Sequence, residues 1–354
     1  MTTPNPPCET QTLPYGAAAI AAADALIARG QPVAIPTETV YGLAADATDS
    51  HAVARIYEAK GRPSFNPLIV HVLDLAAAQA IATFDETALA LARAFWPGPL
   101  TLVLPLRADA GIAGLVTAGL PTIALRVPAH RAMRALLAAT AKPLAAPSAN
   151  ASGAISPTRA EHVVASLGGR VALVVDDGAT EAGLESTIAL GREILRPGPI
   201  TADALTEVLG TPPTPSSLPG EGRSPVVGGA LSIAAPATAV RSSGPRPSPG
   251  KEDGAGVAIT APGQLASHYA PRKALRLNAT EATQGDYLIG FGAIAGDTNL
   301  SPTANLTEAA AKLFDALHRA DASPSTTIAI APIPQDGIGA AINDRLRRAA
   351  HRDT

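Results

Sequence analysis

Apolar runs alternate with short polar breaks along this chain, and the spacing of the apolar positions predicts the elements. Residues 17–29 carry small and branched apolar side chains at helical intervals and stop at Gly30, with Pro32 just beyond, so a helix ends there. PVAIPTETVYG reads as a short β run closing in a Pro/Thr-rich turn. Asp49 and Ser50 are placed to cap a second helix that ends at Gly61. LIVHV (68–72), TLVLPL (100–105) and TIALRVP (122–128) are apolar and partly β-branched, hence strands. Helices are expected over 85–95, 129–141, 158–167 and 201–209. PLAAPSAN runs from a strand into a loop, VALVVDDG is a strand and turn, and STIAL with EILR forms a hairpin around Gly191. Strand–helix alternation mixed with hairpins predicts a mixed, twisted α/β sheet with flanking helices.

The pattern lapses over residues 211–262, where TPPTPSSLPGEGRSP and RSSGPRPSPGKEDG are rich in Pro, Gly and Ser. Such a stretch cannot bury enough apolar surface to order itself and reads as a linker with semi-extended Pro segments. From Ala274 the pattern resumes, with ALRLN, DYLIGFGA and TTIAIAPI as strands and helices at about 305–320 and 338–350. That is βαβαβα spacing, a small parallel three-layer unit of Rossmann-like α/β type. No G-x-G-x-x-G loop accompanies it, so the pattern alone carries no nucleotide site there. The expected organisation is a flexible tail (1–14), an α/β domain (15–210), the linker (211–262) and a second α/β domain (263–354).

Length and composition fit this division. The 354 residues suggest about two domains, and 47 % hydrophobic residues suffice for a sizeable core. Aromatics make up only 3 %, so Ala, Val, Leu and Ile must do the packing. Lys plus Arg is 27 against 30 for Asp plus Glu, a net charge of −3. That gives no overall basic footprint for a nucleic-acid binder but leaves room for a local basic cleft. The single cysteine, Cys8, excludes an internal disulfide and a Cys-based zinc site, which fits a reducing cytoplasm. MTTPNPPCET lacks a basic n-region, and the Ala-rich run at 17–28 is too short and too polar to span a bilayer, so no membrane association is expected.

Walker-type, HExxH and GxSxG signatures and Cys/His clusters are absent, and no residue is expected to ligate a metal directly. Asp176 and Asp177 adjoin in a turn, where a solvated role is simpler than metal binding. Four polar segments stand at the ends of apolar elements. Pro36-Thr37-Glu38-Thr39-Val40-Tyr41-Gly42 offers hydroxyls beside a strand end, either an ordinary turn or a grip for a small polar ligand. Lys60 and Arg62 follow a helix C-terminus, where cations either offset the helix dipole or, held rigid by Gly61 and Pro63, take an anion such as phosphate. Asn66-Pro67 and His71 follow; His71 shares a strand face with Ile69 and, alone, reads as readily as a core histidine.

Thr122 and Arg126 form the third group. An arginine amid Ile, Ala, Leu and Val is costly unless paired, whether with a bound carboxylate or phosphate or with a structural Asp or Glu. Pro147-Ser148-Ala149-Asn150-Ala151-Ser152-Gly153, with Ser156 and Thr158, has the hydroxyl, amide and backbone donors of an anion cradle; a Ser-rich turn with an N-cap is the plainer alternative. Glu185-Ser186-Thr187 and Arg196-Pro197-Gly198 lie further on. Together these strand-end groups suggest one anion-rich cleft.

As an ordered set, PTETVYGLAAD (36–46), Lys60-x-Arg62 with Ser148-x-Asn150, NPLIVHV (66–72), WPGPLTLVL (96–104), ALRVP (124–128), SANASG (148–153), ESTI (185–188) and RPGPI (196–200) resemble the threonylcarbamoyl-AMP synthase family, built on the YrdC-like domain. The resemblance covers about residues 15–210. Residues 211–354, tagged by His268-Tyr269-Ala270-Pro271, resemble the C-terminal part of its long form. It implies a YrdC-like fold and the reaction of L-threonine, bicarbonate or CO2, and ATP to L-threonylcarbamoyl-AMP and pyrophosphate. The product would pass to a tRNA threonylcarbamoyl-transfer complex, without stable direct tRNA binding by this chain. It further implies Lys60 and Arg62 as catalytic. Arg62, Asn66, Thr122, Ser148, Asn150, Ser156, Arg196 and Tyr269 would line ATP. Thr39, His71, Arg126 and Ser186 would line threonine, and Mg2+ would be bound through the phosphates. The linker is expected to order over the cleft when ligands bind. The weak basic footprint and few aromatics oppose an RNA-binding module. A single cysteine opposes a carbamoyl-transfer machine with Cys-rich zinc motifs.

Overall fold

In the computed structural model, residues 9–210 and 268–351 are described. The first part runs β1 (Gln11–Pro14), α1 (Ala17–Ala28), β2 (Val33–Pro36), β3 (Tyr41–Asp46), α2 (Ser50–Lys60), β4 (Ile69–His71), α3 (Leu75–Ile81) and α4 (Glu86–Phe95). It continues with β5 (Leu100–Pro105), α5 (Gly114–Thr117), β6 (Thr122–Arg126), α6 (Arg131–Thr140), β7 (Leu144–Ala145) and α7 (Ala160–Leu167). β8 (Leu173–Asp176), β9 (Thr187–Leu190), β10 (Glu193–Arg196) and α8 (Ala202–Leu209) complete it. Capping explains several helix limits: Asp49, Asp74, Asp85 and Thr201 each accept a backbone N–H at a helix start. Gly61, at φ 59, closes α2 in the left-handed conformation that glycine adopts without strain.

The ten strands form one mixed sheet in the order β1-β8-β2-β3-β7-β4-β6-β5-β9-β10. The β1/β8, β2/β8, β4/β6 and β5/β9 pairs are parallel and the others antiparallel. PVAIPTETVYG is thus a full hairpin rather than a β run ending in a turn, since β3 continues through Asp46. The loose tail expected over 1–14 is corrected at its end: Gln11–Pro14 pairs along β8, and Thr10 bonds Val171.

The period-2 alternation of the strands decides where the helices sit. Val33, Ile35, Ala44, Leu173 and Val175 face α1 and α6, while Ala34, Leu43, Ala45, Val70, Leu102, Leu125 and Val174 face the core shared with α2, α4 and α7. On the α1/α6 side, the β4-β6-β5-β9 half carries only the small cluster Ile69, Val103, Ala124 and Ile188. Where the helical cover ends, a cleft opens.

The second part comprises β11 (Ala274–Arg276), β12 (Asp286–Gly290), β13 (Thr298–Asn299), α9 (Leu306–Ala322), β14 (Thr327–Ile330) and α10 (Gly339–Ala350). Its sheet, β11-β14-β12-β13, is parallel throughout. The βαβαβα order does not form, because no helix separates β11 from β12; Asp286 instead closes a polar turn on Thr283 and pairs with Arg276. The three-layer expectation is also revised: α9 and α10 share one cluster with Ile289, Ile328 and Ile330, whereas Leu288 and Ala329 face a smaller one.

The two parts share an apolar seam in which Val40, Ile155 and Leu184 pack with Tyr269 and Phe314. Ala270 donates its N–H to the Gly153 carbonyl, and Arg159 pairs with Asp315 at 3.1 Å. The expected linker (211–262) and its closure over the cleft lie outside the described residues. Among the described residues no helix is long and apolar enough to cross a membrane.

Candidate active site

The cleft lies on the open face of the sheet, beneath the edge of the second domain. Its floor is set by strand register. His71 and Arg126 are directly opposed on the parallel pair β4/β6, so both side chains stand on the face that carries Ile69 and Ala124. Thr39, from the β2–β3 turn, and Ser186, just before β9, join them.

Arg126 is buried at this corner, with Nη2 in ion-pair contact but without a hydrogen-bond partner. Its Nη2 lies 2.6 Å from Glu38 Oε1, its Nη1 donates to Thr39 Oγ1 at 2.9 Å and its Nε donates to the Gly98 carbonyl at 3.2 Å. Burial pushes the Glu38 carboxyl up, but the ion pair with Arg126 outweighs it and holds the carboxyl below its usual range. Of the two partners open to Arg126 from sequence, the structural carboxylate is therefore present. His71 has no hydrogen-bond partner at either ring nitrogen. Burial, aided by the Arg126 charge, pulls its pKa down to about 3, so the imidazole is neutral. Ser186 Oγ shares a 2.7 Å hydrogen bond with Thr101 Oγ1.

The other corner is built from loops. Arg62, Ser148, Arg196 and Tyr269 line it. Arg62 donates to the carbonyls of Asn66 (3.3 Å) and Pro67 (3.0 Å). Arg196 donates through Nε and Nη2 to the Ser186 carbonyl, at 3.1 and 2.9 Å. Lys60 Nζ is 2.5 Å from the carbonyls of both Ser148 and Asn150. Among the described residues none of the three cations has a carboxylate within ion-pair distance. Burial depresses all three: Lys60 well below the ordinary ammonium range, with Arg62 and Arg170 adding to the effect, Arg62 to about 10, and Arg196 in the same direction.

Not every candidate reaches the cleft wall. Lys60 stands behind the Ser148–Asn150 loop and ties it down, so it is not placed to touch a ligand as expected of a catalytic cation. Asn150 is buried, its amide nitrogen donating to the carbonyls of Ala151 (2.9 Å) and Ala154 (2.8 Å). Ser156 is buried and hydrogen-bonded to Glu185 Oε1. Asn66 is buried with both side-chain polar atoms unpartnered, next to the lining residue Pro67. Thr122 shares the face of Arg126 but stands four residues away, ~13 Å along a strand. It lines a small adjoining cavity that shares Pro67 and Leu68 with the cleft.

Tyr269 reaches in from the second domain with its hydroxyl buried and unpartnered, and His268 lines the cleft beside it. The motifs carrying Glu38 and Glu185 assign neither residue a role from sequence alone. A lone glutamate between Thr37 and Thr39 and a lone arginine in an apolar strand are the two halves of one pair, and that was the available signal.

Comparison with known proteins identifies the family. The family model described as "Telomere recombination" matches residues 25–198, and the one described as "Threonylcarbamoyl-AMP synthase, C-terminal domain" matches residues 200–351. A threonylcarbamoyl-AMP synthase of Bacillus subtilis is 37 % identical, covering 94 % of this chain and 92 % of its own length. One from Pyrococcus abyssi is 35 % identical, covering 92 % of each. The crystal structure of Pyrococcus abyssi Sua5 complexed with L-threonine superposes with a TM-score of 0.77 at 32 % identity, over 96 % of this chain and 97 % of that one.

Proposed function

The chain belongs to the threonylcarbamoyl-AMP synthase family, in its two-domain form, and on that premise we propose how the cleft makes L-threonylcarbamoyl-AMP from L-threonine, bicarbonate or CO2, and ATP. The threonine amine adds to CO2 and loses a proton, giving a carbamate. A carbamate oxygen attacks the α-phosphorus of ATP, the bond to the bridging oxygen breaks, and pyrophosphate leaves. The step is a nucleotidyl transfer that needs no protein nucleophile, so catalysis is positioning plus charge stabilisation.

The Arg126 corner takes threonine. The guanidinium, aimed by Glu38 and Thr39, meets the carboxylate; neutral His71 accepts a hydrogen bond from a substrate N–H or O–H; Ser186 completes the contact set. The loop corner takes ATP. Arg62, Ser148 and Arg196 surround the phosphates, Tyr269 covers them, and the nucleoside extends past Pro67 and Asn66 toward the Thr122 cavity. Lys60, Asn150 and Ser156 act from behind the wall by fixing the loops that touch ATP.

For Mg2+ the side chains supply no cage. Glu185 on the cleft wall and Glu38 behind Arg126 are each held by an arginine, and among the described residues no group of three His, Cys, Asp or Glu could hold a metal ion. We place the ion on the triphosphate oxygens. The product would feed a cytoplasmic complex that forms N6-threonylcarbamoyladenosine on tRNA.

The observation that carries this reading is the meeting of a carboxylate-backed arginine and two arginines without carboxylate partners in one cleft. Pyrophosphate release, measured with threonine, bicarbonate and ATP omitted in turn, tests it. Release is expected only with all three; release without threonine would overturn it.

A further inference from the structure

Arg345, on α10, is fully buried in the described structure, at 0 % exposure. A buried guanidinium is strongly destabilising unless its charge and donors are met. Its partners come from both domains. Nε donates to Glu185 Oε2 at 2.8 Å, and Nη2 lies 3.5 Å from the Glu185 carbonyl. Nη1 donates to Asp344 at 2.7 Å, and the guanidinium sits 5.2 Å from the centre of the Tyr269 ring. The second Glu185 oxygen accepts the Ser156 hydroxyl.

Glu185 and Tyr269 line the cleft, whereas Arg345 does not. The segment that Arg345 holds is confined on its other side by Gly198, where a Cβ would come within 2.7 Å of the Glu185 carbonyl oxygen. Glu185 precedes Ser186, whose carbonyl Arg196 grips. One guanidinium thus touches the carboxylate that anchors the 185–187 segment and the aromatic ring that roofs the ATP corner.

We propose that Arg345 is a positioning residue through which the C-terminal domain sets the ATP corner, by fixing Glu185 and Tyr269 in one arrangement. This rests on the reading of that corner as the ATP site. Lysine cannot span Glu185 and Asp344 with a planar fork, and methionine keeps the bulk without the charge. Loss of the fork therefore loosens the 185–187 segment and Tyr269 without removing any group that touches substrate.

The test compares the full-length chain with Arg345→Met and Arg345→Lys. Two quantities are read: backbone hydrogen exchange at Ser186, Thr187 and Ala270, and the KM and kcat for ATP and threonine. Exchange at those amides should rise ~10-fold in Arg345→Met, with distant β8 amides unchanged. The ATP KM should rise ~10-fold, with a smaller rise in the threonine KM because Ser186 lies in the loosened segment, and Arg345→Lys should recover part of the loss. Glu185→Gln combined with Arg345→Met should be little worse than either alone, because both break one contact. Unchanged local exchange in a folded Arg345→Met chain would overturn the assignment, whether or not the protein turns over. So would a lower unfolding midpoint with both KM values intact, which is what a purely structural link gives. Absence of threonine-dependent pyrophosphate release in the unsubstituted chain would instead count against the ATP reading, and the exchange result would still decide the role of Arg345.

Discussion

The two corners of the cleft hold their cations differently. Arg126, fixed on β6, is neutralised by Glu38 from the β2–β3 turn. Lys60, Arg62 and Arg196 are fixed on neutral backbone carbonyls, and their charge is left uncancelled. The depressed pKa values of those three record the difference: burial disfavours a cation with no carboxylate in ion-pair contact, even where, at Arg196, the more distant Glu185 partly offsets it. A polyphosphate would supply that relief, while an amino acid carrying its own positive charge suits the neutralised corner. The charge on the ligand is thus anticipated by the charge left unpaired in the protein.

The largest expected effect comes from breaking the neutralised corner. Glu38→Gln keeps the shape but leaves Arg126 buried without a counter-charge, which should lower unfolding free energy by ~3–5 kcal/mol. Lys60→Met leaves two neutral carbonyls without a donor and should lower it by only ~1–3 kcal/mol. Denaturant titration of both variants decides; equal losses would mean that the two corners are not distinguished by charge pairing. Next in size, Arg62→Ala should lower pyrophosphate release by ~10²–10³-fold with threonine affinity left within ~2-fold, because it removes charge stabilisation at one corner only. A comparable fall in threonine affinity, read by calorimetry, would dissolve the division of labour.

Much of the fold was legible in the sequence because it rests on local rules. Asp49 and Gly61 bound α2, period-2 runs marked β4, β5 and β6, and STIAL with EILR formed the hairpin. What escaped required long-range pairing. Gln11–Pro14 is a strand only because β8 presents an edge to it. Parallel β11 and β12 lie on either side of β14, an arrangement no local spacing encodes.

For the site, residue type and motif order indicated the cleft, and periodicity placed His71 and Arg126 on one face. The distinction between wall and backing did not show. Lys60 and Arg62 look equivalent two positions apart, yet Gly61 turns one toward the Ser148 and Asn150 carbonyls and the other toward the cleft. Arg345 was readable in part: Ile342, Leu346 and Ala349 mark the buried face of α10, and Arg345 lies on it.

The uncancelled charge should also make ATP binding sensitive to alkali. Lys60 has a folded-state pKa well below its ordinary value, and Arg62 sits at about 10. An anion favours the protonated forms. ATP affinity should therefore fall as pH rises through the Lys60 pKa, by up to ~10-fold per pH unit once it deprotonates. Calorimetry in two buffers of different ionisation enthalpy should show proton uptake on ATP binding above that point. Threonine binding should draw no proton to this corner, so matching uptake for both ligands would undo the contrast.

The last effect lies on the acid side and belongs to the other corner. His71 is neutral in the fold with a pKa of about 3 against 6.5 for the free side chain, so below pH 6.5 the unfolded chain binds a proton that the folded chain refuses. Stability must fall as pH drops from 6.5 toward 3, with a His71 contribution of ~1.4 kcal/mol per pH unit at most. Glu38 acts in the same direction at lower pH: its carboxyl is held below 4.5, and the stability it contributes above that value is lost on protonation. His71→Asn removes the first contribution and leaves the second. The urea midpoint of the variant should fall less steeply than that of the unsubstituted chain from pH 6.5 down to about 3, and the two should run parallel only below that, where the folded chain also protonates His71. Identical slopes throughout would mean that His71 takes up its proton in the folded protein, and the neutral hydrogen-bond acceptor assigned to the threonine corner would be lost with it.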